Sequence, residues 1–562
     1  MCGIAGFVYK KKNAVFDINN VLDKLKHRGP DARGYWSYKN KIFFLHTRLS
    51  VIDLKKIANQ PLKIENSQYV IIFNGEIYNY KELKFSLKKS GEIFFTDSDT
   101  EVLLVLWKKF GIKALSMLRG MFSFAIFDKN KKEITLCRDP IGIKPLFYSY
   151  QKNIFSFSSE INVLKNNNKL DSLGSFFAKE WGCVPSPFTT YKDIKSVEPG
   201  TIIKFSFKNW KFTKKKYWCL SKLFNQKINY VSSYNAAIEI SKRAIHDSLR
   251  AHFTSDVPVA ILLSGGIDSS SLVSVANKIG IKKINTISLI FPGTKYNEDR
   301  YIKLIVKKFK TNHYQKSIHR SEFIKEYKKY IAISSYPTTD GFNIYLVTKF
   351  AKSKNFKVLI SGIGADEIFQ GYDTVFKKVY YAILFFKNIN KFFKKIFFSI
   401  IRTFIKNKEF IPRIKKIIFS HELYNKYLSA RDLNIFKLEK SSSENVGQYR
   451  KFLKIFFKIN INCNIKRILS FFEIKRYLQT QLLIDCDYYS MRNSVEIRTP
   501  FVDKIFYENI IKINPIYFYF KSYNKNLLVD AVEDIPNQII FRKKMGFTLP
   551  LHWIPADIKK WQ

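Results

Sequence analysis

Cysteine is scarce in this 562-residue sequence. It contains six Cys residues, and none stand at the paired spacing of a disulfide framework or a zinc site. Disulfide-rich proteins belong to oxidising compartments and carry dense, paired Cys. The opening segment, MCGIAGFVYKKK, also lacks the form of a signal peptide, because its apolar run is short and its charges follow that run. The sequence therefore predicts a cytoplasmic protein.

Long uncharged apolar runs are also missing. No stretch reaches the roughly 18 residues that a membrane-spanning helix needs. The most apolar candidate is KKIFFSIIRTFIKNK, near residues 394–408, which Lys and Arg interrupt. An amphipathic helix usually buries its apolar face in a core, so we predict a buried helix here and no membrane partner. A helix lying on a membrane surface is the alternative interpretation.

Acidic residues are few: 46 Asp and Glu stand against 96 Lys and Arg, which gives a formal charge of +50. Such an excess is typical of nucleic-acid or membrane binding. Here the basic residues are spread along the chain and accompany many Asn, Ile, Phe and Tyr, the composition of an AT-rich genome. No zinc-finger spacing or RNA-reading aromatic motif is present, so we predict no nucleic-acid partner. The charge would still attract anionic substrates.

The length predicts two or three domains. Residues 2–205 hold short β-like runs such as VIIFNGEIY and MFSFAIFD, separated by Gly, Asn and Asp, which indicates antiparallel strands. Residues 206–235 have no clear period and are predicted to be a linker. In residues 236–562 strands alternate with helices, which predicts a parallel sheet. Residues 372–480 are predicted to be mainly helical.

The first candidate site is at the amino terminus. Cys2 follows the initiator Met and precedes the small Gly3. Removal of Met1 would give Cys2 a free α-amine, which titrates near pH 8. The neutral amine can accept the thiol proton, so one residue supplies both nucleophile and base. Alone, a Cys at position 2 is a weak signal.

Three further segments strengthen this signal, HRGPD, RLSVID and NGEIYN, and Asp99 follows in TDSDTE. Arg48 can pair with an α-carboxylate, and Glu76 and Asp99 can hold an α-ammonium group, as glutamine binding requires. The Asn74 amide and the Gly75 N–H can donate to an oxyanion. Each has an ordinary alternative: a surface ion pair for Arg48, a hairpin turn for Asn74–Gly75 and a helix N-cap for Asp99. Their order and spacing favour the site.

The pattern MCGIAG, HRGPD, RLSVID, NGEIYN, SDTE, GMFSFAIFD and RDPIGIKPL resembles the class II glutamine amidotransferase domain across residues 2–200. That resemblance implies an N-terminal-nucleophile hydrolase with a four-layer αββα sandwich. It implies Cys2 as nucleophile and Asn74 and Gly75 as the oxyanion hole. The glutamine ligands that it implies are Arg48, Glu76 and Asp99, with backbone contributions from Val51 and Ile52.

The second candidate site centres on LLSGGIDSSS, residues 262–271. Small residues let backbone N–H groups approach phosphate oxygens at the start of a helix, and the spacing is not that of a Walker loop. The small residues that surround Asp268 are Ser264, Gly265, Gly266, Ser269 and Ser270. A second loop, SGIGADEIFQGY, places Asp366 after another candidate strand. The two carboxylates are predicted to hold Mg²⁺, and the alternative for Asp366 is a helix N-cap.

This half resembles known enzymes too. SGGIDS is similar to the pyrophosphate loop of ATP pyrophosphatases, and SMRNSVEIRTPFVD and FRKKMGFTLPLHW resemble the C-terminal domain of asparagine synthetases. The resemblance implies an α/β nucleotide α-hydrolase-like fold with extra helices, and Lys544 as the residue that stabilises phosphate charge. Around the adenosine it implies Leu263, Leu289, Ser361 and Gly362.

The family's reaction converts ATP, aspartate and glutamine into asparagine, glutamate, AMP and pyrophosphate by way of an aspartyl-AMP. Ammonia passes between the two sites through an internal tunnel, because free ammonia would be protonated near neutral pH and lose its nucleophilicity. These substrates, with Mg²⁺, are the implied ligands. Whether the chain forms a homodimer is a question that the sequence leaves open.

The sequence departs from the family in two places. Many relatives carry an acid, a candidate general base, where this chain has Ile363. The form SGIGADE is similar to branches found in surface-polysaccharide pathways, so amidation of another carboxylate, such as a sugar acid, is the alternative function. The chain also ends soon after the Lys544 motif, which raises the expectation of a C-terminal truncation. A non-catalytic scaffold is disfavoured by the intact site residues.

Overall fold

The computed structural model describes residues 1–11, 16–64, 67–165, 169–338, 340–405, 410–431, 443–459, 464–519, 521–545, 549–555 and 558. Residues 559–562, at the end where a C-terminal truncation is predicted, lie outside the described residues, and the truncation stays a prediction.

Two antiparallel sheets of six strands each form the N-terminal half. The strands are β1 (Gly3–Tyr9), β2 (Ala32–Tyr38), β3 (Ile42–Arg48), β4 (Leu62–Lys63), β5 (Tyr69–Ile77), β6 (Gly120–Asp128), β7 (Glu133–Arg138), β8 (Phe147–Gln151), β9 (Ile154–Ser158), β10 (Ile194–Ser196), β11 (Thr201–Ser206) and β12 (Lys211–Lys216). The first sheet has the order β10–β8–β9–β1–β3–β2, and the second has the order β12–β11–β7–β6–β5–β4. β1 and β5, which carry the first predicted site, are interior strands.

The two sheets pack face to face and are covered by helices on their outer faces. The helices are α1 (Ile18–Leu25), α2 (Tyr80–Lys89), α3 (Asp99–Phe110), α4 (Ala114–Met117), α5 (Ile161–Leu164) and α6 (Ser172–Trp181). Between the sheets, Phe155 stacks on Phe205 with ring centroids 4.3 Å apart. On the outer faces, Leu25 of α1 joins the cluster with Phe43, and Trp107 of α3 contacts Phe124. The predicted αββα sandwich is confirmed.

The predicted linker, residues 206–235, contains regular structure. β12 pairs with β11 as the edge strand of the second sheet, and α7 (Leu220–Asn225) follows. Five of the six residues of β12 are exposed, and Lys side chains are tolerated on an edge strand. This explains why the segment showed no apolar period. The division of the chain into domains stays a prediction.

The C-terminal half is built on a parallel five-stranded sheet. Its strands are β13 (Val259–Leu262), β14 (Asn285–Ile290), β15 (Asn312–Ser317), β16 (Val358–Ile360) and β17 (Glu496–Arg498). The order is β15–β14–β13–β16–β17, and every pairing is parallel. From β13 the chain builds the sheet outward on one side through β14 and β15, and then on the other side through β16 and β17. A crevice therefore opens between β13 and β16 at their carboxyl ends. Open α/β sheets bind ligands at such a crevice. The predicted α/β fold is confirmed.

Helices surround this sheet and fill the segment that was predicted to be helical. They are α8 (Tyr234–His252), α9 (Ile267–Lys278), α10 (Asp299–Phe309), α11 (Arg320–Ile333), α12 (Gly341–Ser353), α13 (Ala365–Ile368), α14 (Tyr380–Lys387), α15 (Lys391–Phe404), α16 (Phe410–Phe419), α17 (Leu423–Arg431), α18 (Ser443–Phe456), α19 (Ile465–Glu473), α20 (Leu483–Arg492), α21 (Lys504–Ile510), α22 (Asn526–Val532) and α23 (Asn537–Ile540). No described helix combines the length and apolar character needed to cross a membrane.

The prediction of a buried helix near residues 394–408 is wrong for the described part of that segment. No residue of α15 is buried, and the Phe404 side chain is 80% exposed. The physical reason is that the aromatic contacts of α15 involve only part of its surface: Phe398 contacts Phe419 of α16, and Phe397 contacts Phe386 of α14. The other apolar side chains of the helix remain exposed.

Buried ion pairs join the two halves of the chain. The fully buried Arg28 guanidinium donates to Glu160 Oε1 at 2.9 Å and to Asp487 Oδ2 of α20 at 2.8 Å. Its Nε also donates to the Cys2 carbonyl oxygen at 3.1 Å. One side chain therefore holds the amino terminus, the first sheet and a C-terminal helix together.

We expect Arg28→Met to destabilise the docking of the two halves. The loss of the guanidinium would remove the closest charged partner of two buried carboxylates, because Lys144 lies 3.6 Å from Asp487 and Arg492 lies 3.8 Å from Glu160. Breaking buried pairs in this way costs up to about 3–5 kcal/mol. Urea unfolding followed by circular dichroism measures this effect. Arg33→Met is the matched control, because Arg33 forms a solvent-exposed pair with Asp23 at 2.9 Å, worth about 0–1 kcal/mol. Equal losses in the two variants would contradict the structural role of Arg28.

Candidate active sites

Cys2 lies directly before β1 in an enclosed position. Its backbone N–H donates to Asn74 Oδ1 at 3.1 Å. Burial raises the pKa of the Cys2 thiol, against the opposing effects of the chain's amino terminus and of Arg48. A thiol in such surroundings needs a base within reach before it can act as a nucleophile.

Met1 occupies a buried position beside this thiol. Its side chain is 1% exposed, and its ammonium nitrogen lies 3.2 Å from Glu496 Oε2 on β17. Removal of Met1 would transfer the α-amine to the Cys2 nitrogen, which already contacts Asn74. The geometry thus provides a place for the predicted nucleophile and base in one residue.

Asn74 and Gly75 lie on β5, next to Cys2. The Asn74 amide nitrogen donates to Ser123 Oγ over a long 3.4 Å, so this donor is weakly engaged, and the Asn74 Oδ1 lies beside Cys2. A Cβ on Gly75 would lie 2.2 Å from the Met121 carbonyl oxygen, so glycine is required by the close approach of β6. Both residues belong to a strand, and the hairpin-turn alternative is wrong.

Arg48 fastens the loop that follows β3. Its guanidinium donates to the carbonyl oxygens of Lys55 and Ile52 at 2.9 and 3.2 Å, to the Asp53 carbonyl oxygen and to Asn59 Oδ1 at 2.8 Å. The surface-ion-pair alternative is therefore wrong.

The loop backbone that was predicted to contact glutamine is engaged within the chain. The Val51 carbonyl oxygen accepts from the Asp256 N–H at 3.0 Å, and that of Ile52 accepts from Arg48 at 3.2 Å. Glutamine binding by Arg48, Val51 and Ile52 stays a prediction.

Asp99 is the first residue of α3, and the N-cap is Ser98, whose side chain accepts from the Glu101 N–H. The N-cap alternative for Asp99 is therefore wrong. Its Oδ2 accepts from the Ile77 N–H at 2.9 Å, at the end of β5. Burial raises the pKa of Asp99 to about 6.

Glu76 lies between the two halves of the chain. Its Oε2 has no hydrogen-bond partner among the described residues and lies 3.5 Å from Arg498 Nη2 of β17. Burial raises the pKa of this carboxyl group well above its usual range, and the charge of Glu496 adds to the effect. Sequence reasoning assigned Glu76 to glutamine alone and missed its contact with the second half.

The second predicted site is a cavity of about 580 Å³ in the crevice between β13 and β16. Its volume is typical of a small-molecule site. The predicted residues that line it are Leu263, Ser264, Gly266, Asp268, Ser269, Leu289, Ser361, Gly362, Asp366 and Lys544. Gly265 and Ser270 do not line it: Gly265 has φ +68° and packs on Tyr301, and Ser270 is fully buried in α9.

Two lysines and two aspartates meet on the polar wall of this cavity. Lys525 Nζ pairs with Asp268 and lies 2.5 Å from Asp366 Oδ1. Lys544 Nζ lies 2.5 Å from the same Asp366 oxygen and 3.1 Å from the Gly371 carbonyl oxygen. Burial raises the pKa of Asp366, but the two ammonium groups outweigh it and lower the pKa to about 2. This wall suits a polyphosphate, which the ammonium groups attract.

Sequence reasoning missed Lys525, which directly precedes α22. It stands outside the glycine-rich motifs as one of 96 basic residues, and only the fold brings it to the carboxyl ends of β13 and β16. The helix N-cap alternative for Asp366 is wrong, because the N-cap of α13 is Gly364 and the Asp366 side chain lines the cavity.

The carboxylate pair fits the predicted Mg²⁺. The described residues hold no group of three or more His, Cys, Asp or Glu that could bind a metal alone. Mg²⁺ commonly uses one or two carboxylates together with substrate phosphates and water. Asp268 and Asp366 supply two such groups on the cavity wall.

Ile363, at the position where the family resemblance implies an acid, lines the cavity, and a buried acid lies nearby. Glu367 lines the same cavity, and its Oε1 accepts from the Tyr372 hydroxyl at 2.8 Å. Its Oε2 has no hydrogen-bond partner in the described part of the chain. Burial raises the pKa of Glu367 to about 7, so this group exchanges protons near neutral pH. The sequence motif SGIGADE contained Glu367, but its burial could not be foreseen.

Comparisons with known proteins cover both halves of the chain. Residues 1–218 match the family model of a glutamine amidotransferase domain, and residues 241–562 match that of asparagine synthase. The Bacillus subtilis (strain 168) protein named asparagine synthetase (glutamine-hydrolyzing) 1 is 32% identical over 580 residues, which cover 100% of this chain and 89% of that protein. Asparagine synthetase (glutamine-hydrolyzing) 3 of the same organism is 30% identical over 400 residues, 66% of this chain and 63% of that protein.

Among solved structures, the glutamine phosphoribosylpyrophosphate amidotransferase of B. subtilis, complexed with ADP and GMP, matches with a TM-score of 0.30. The identity is 17%, over 56% of this chain and 81% of that one. The two family models and the full-length relative identify the chain: it belongs to the asparagine synthase family and carries a glutamine amidotransferase domain at its amino terminus.

Proposed function

We propose that this chain is a glutamine-hydrolysing asparagine synthetase. Its substrates are glutamine, aspartate and ATP, and its products are asparagine, glutamate, AMP and pyrophosphate. The observation that carries the proposal is the convergence of the SGGIDSS and SGIGAD loops on one cavity with a wall of paired Lys and Asp side chains. That wall belongs to the same chain as an enclosed amino-terminal thiol.

In the glutaminase half, the Cys2 thiol attacks the side-chain carbonyl of glutamine after its proton passes to the α-amine freed by removal of Met1. The Asn74 amide and the Gly75 N–H stabilise the oxyanion. Ammonia leaves, and water releases glutamate from the thioester. Asp99 and Glu76 hold the substrate ammonium group, and Arg48 with the Val51–Ile52 backbone holds its carboxylate.

In the synthetase half, a carboxylate oxygen of aspartate attacks the α-phosphorus of ATP, and pyrophosphate leaves. Lys544 and Lys525 stabilise the charge on the phosphates, while Leu263, Leu289, Ser361 and Gly362 surround the adenosine. The loop residues Ser264, Gly266 and Ser269 line the phosphate pocket, and Gly265 and Ser270 support the loop from behind it. When bound at Asp268 and Asp366, Mg²⁺ neutralises further phosphate charge. Ammonia then attacks the activated carbonyl, and AMP leaves.

The most specific part of this proposal is the identity of the carboxylate that accepts ammonia. The purified protein is supplied with glutamine, ATP and Mg²⁺ together with aspartate or a panel of sugar acids, and pyrophosphate release is measured. We expect release to depend on aspartate. Release that depends on a sugar acid instead would favour the alternative acceptor, for which the apolar Ile363 in the cavity is the supporting observation.

We expect Cys2→Ala to lower glutamine-dependent synthesis by about three orders of magnitude or more, because a nucleophile has no substitute in the site. Synthesis from added ammonia should be retained, because the synthetase cavity is untouched. Both rates are measured as asparagine formed. Cys219→Ala, which removes a partly exposed thiol outside the site, is the control. Glutamine hydrolysis by the Cys2→Ala variant would refute the assignment of Cys2 as the nucleophile.

The pH dependence of the KM for glutamine should report on Asp99. The folded-state pKa is raised to about 6, so the carboxyl group becomes neutral below that pH and loses its attraction for the substrate ammonium group. KM should rise about tenfold per pH unit below pH 6, as expected for a single titrating group. Glutamate release measured between pH 5 and pH 8 tests this. In the Asp99→Asn variant the KM for glutamine should be high at every pH tested. If the KM of this variant still rises below pH 6 as in the wild type, Asp99 is not the titrating group.

We expect Lys525→Met to lower aspartate-dependent pyrophosphate release by about 10²–10³-fold, because a preorganised charge at the phosphates is lost. Basal glutaminase activity should persist. Lys521→Met is the control, since Lys521 is 45% exposed and pairs with Asp530 at 2.7 Å. A Lys525 variant with full pyrophosphate release would contradict the assignment of this residue to the phosphate wall.

A further inference from the structure

α15 presents a broad apolar face to solvent. Its exposed large apolar side chains are Phe392, Phe393, Ile396, Phe397, Ile400 and Phe404. With 100° per residue, these positions fall within one arc of the helix surface. Their exposed fractions range from 39% for Phe397 to 80% for Phe404. The helix packs on its neighbours through Phe398, which contacts Phe419 of α16, and through Phe397 at the border of the arc, which contacts Phe386 of α14.

The face continues onto the preceding helix. On α14 the side chains of Tyr381, Leu384 and Phe385 are exposed. The rings of Phe385 and Phe397 are 5.4 Å apart, so the two helices share one surface. We call these nine side chains, six on α15 and three on α14, the apolar patch. A continuous apolar surface on a soluble domain usually marks an interaction site.

Basic residues border the apolar patch, and acidic residues are missing. Residues 374–405 contain seven Lys or Arg and no Asp or Glu. On α15, Lys391, Lys395 and Arg402 lie on the side next to the apolar arc, and all three are exposed. Lys387 closes α14. This charge distribution opposes pairing with a second copy, since two such surfaces would repel each other, and it complements an anionic surface.

We propose that the apolar patch binds the surface of an anionic phospholipid membrane. An interfacial helix combines Phe and Ile on one face with Lys and Arg beside it, and it lies parallel to the membrane at the boundary between headgroups and acyl chains. The aromatic and aliphatic side chains enter this boundary, while the ammonium and guanidinium groups contact lipid phosphates. The chain is thereby a peripheral membrane protein, whatever its acceptor substrate.

Sedimentation with lipid vesicles tests the proposal. The full chain is mixed with vesicles of phosphatidylcholine alone or of phosphatidylcholine with phosphatidylglycerol, at low and high salt. We expect binding to the anionic vesicles at low salt. The double variant Phe392→Ser/Phe404→Ser should weaken that binding by roughly tenfold per phenylalanine, from the loss of apolar transfer. Phe85→Ser/Phe95→Ser is the matched control, because these rings are 61% and 62% exposed outside the apolar patch.

A second pair of variants tests the charge. Lys391→Gln/Lys395→Gln should weaken binding by roughly fivefold per removed charge at low salt, whereas Lys282→Gln/Lys283→Gln, exposed elsewhere, should not. Circular dichroism and glutaminase activity check that all variants are folded. Absence of wild-type binding, or equal binding by patch and control variants, would overturn the proposal. So would a wild-type dimer that Phe392→Ser/Phe404→Ser converts to a monomer without any vesicle binding.

Discussion

The fully buried guanidinium of Arg28 is the interaction on which the rest of this architecture depends. It connects the carbonyl oxygen of Cys2, the proposed nucleophile, to the Glu160 carboxylate between β9 and α5 and to Asp487 of the second half. A buried charge is tolerated only when it is paired and hydrogen-bonded. The arrangement therefore specifies one docking geometry, and with it the distance between the thiol and the nucleotide cavity.

Burial in this interface also sets the chemistry on both sides of it. In the glutaminase half it raises the pKa values of Cys2, Glu76 and Asp99. In the synthetase half the opposite result holds for Asp366, because two ammonium groups outweigh its desolvation. Burial thus raises the pKa values of the acids near the ammonia source, whereas the lysine ammonium groups keep a carboxylate ionised at the second cavity.

The sequence predicts those parts of the molecule that local patterns determine. Strand–glycine–helix patterns identified the loops after β13 and β16, and the spacing of short motifs located Cys2, Asn74 and Asp99. Residues that act through partners distant in sequence were missed. Lys525 is 257 residues from Asp268, and no local pattern distinguishes it from the other basic residues.

The wrong prediction that α15 is buried has a related cause. The apolar content of a helix reveals that it has an apolar face, but not what covers that face, which depends on the packing of the surrounding helices. β12 illustrates the converse, since an edge strand needs no apolar period and shows none.

The buried position of Met1 has a consequence for the order of events during biosynthesis. Its ammonium group pairs with Glu496, and both side chains are inaccessible to solvent. A peptidase cannot reach this residue once the halves have docked. The proposed excision of Met1 would therefore have to precede the docking of the two halves. A molecule that docks first would keep Met1 over the thiol, so the proposed glutaminase depends on the order of these two steps.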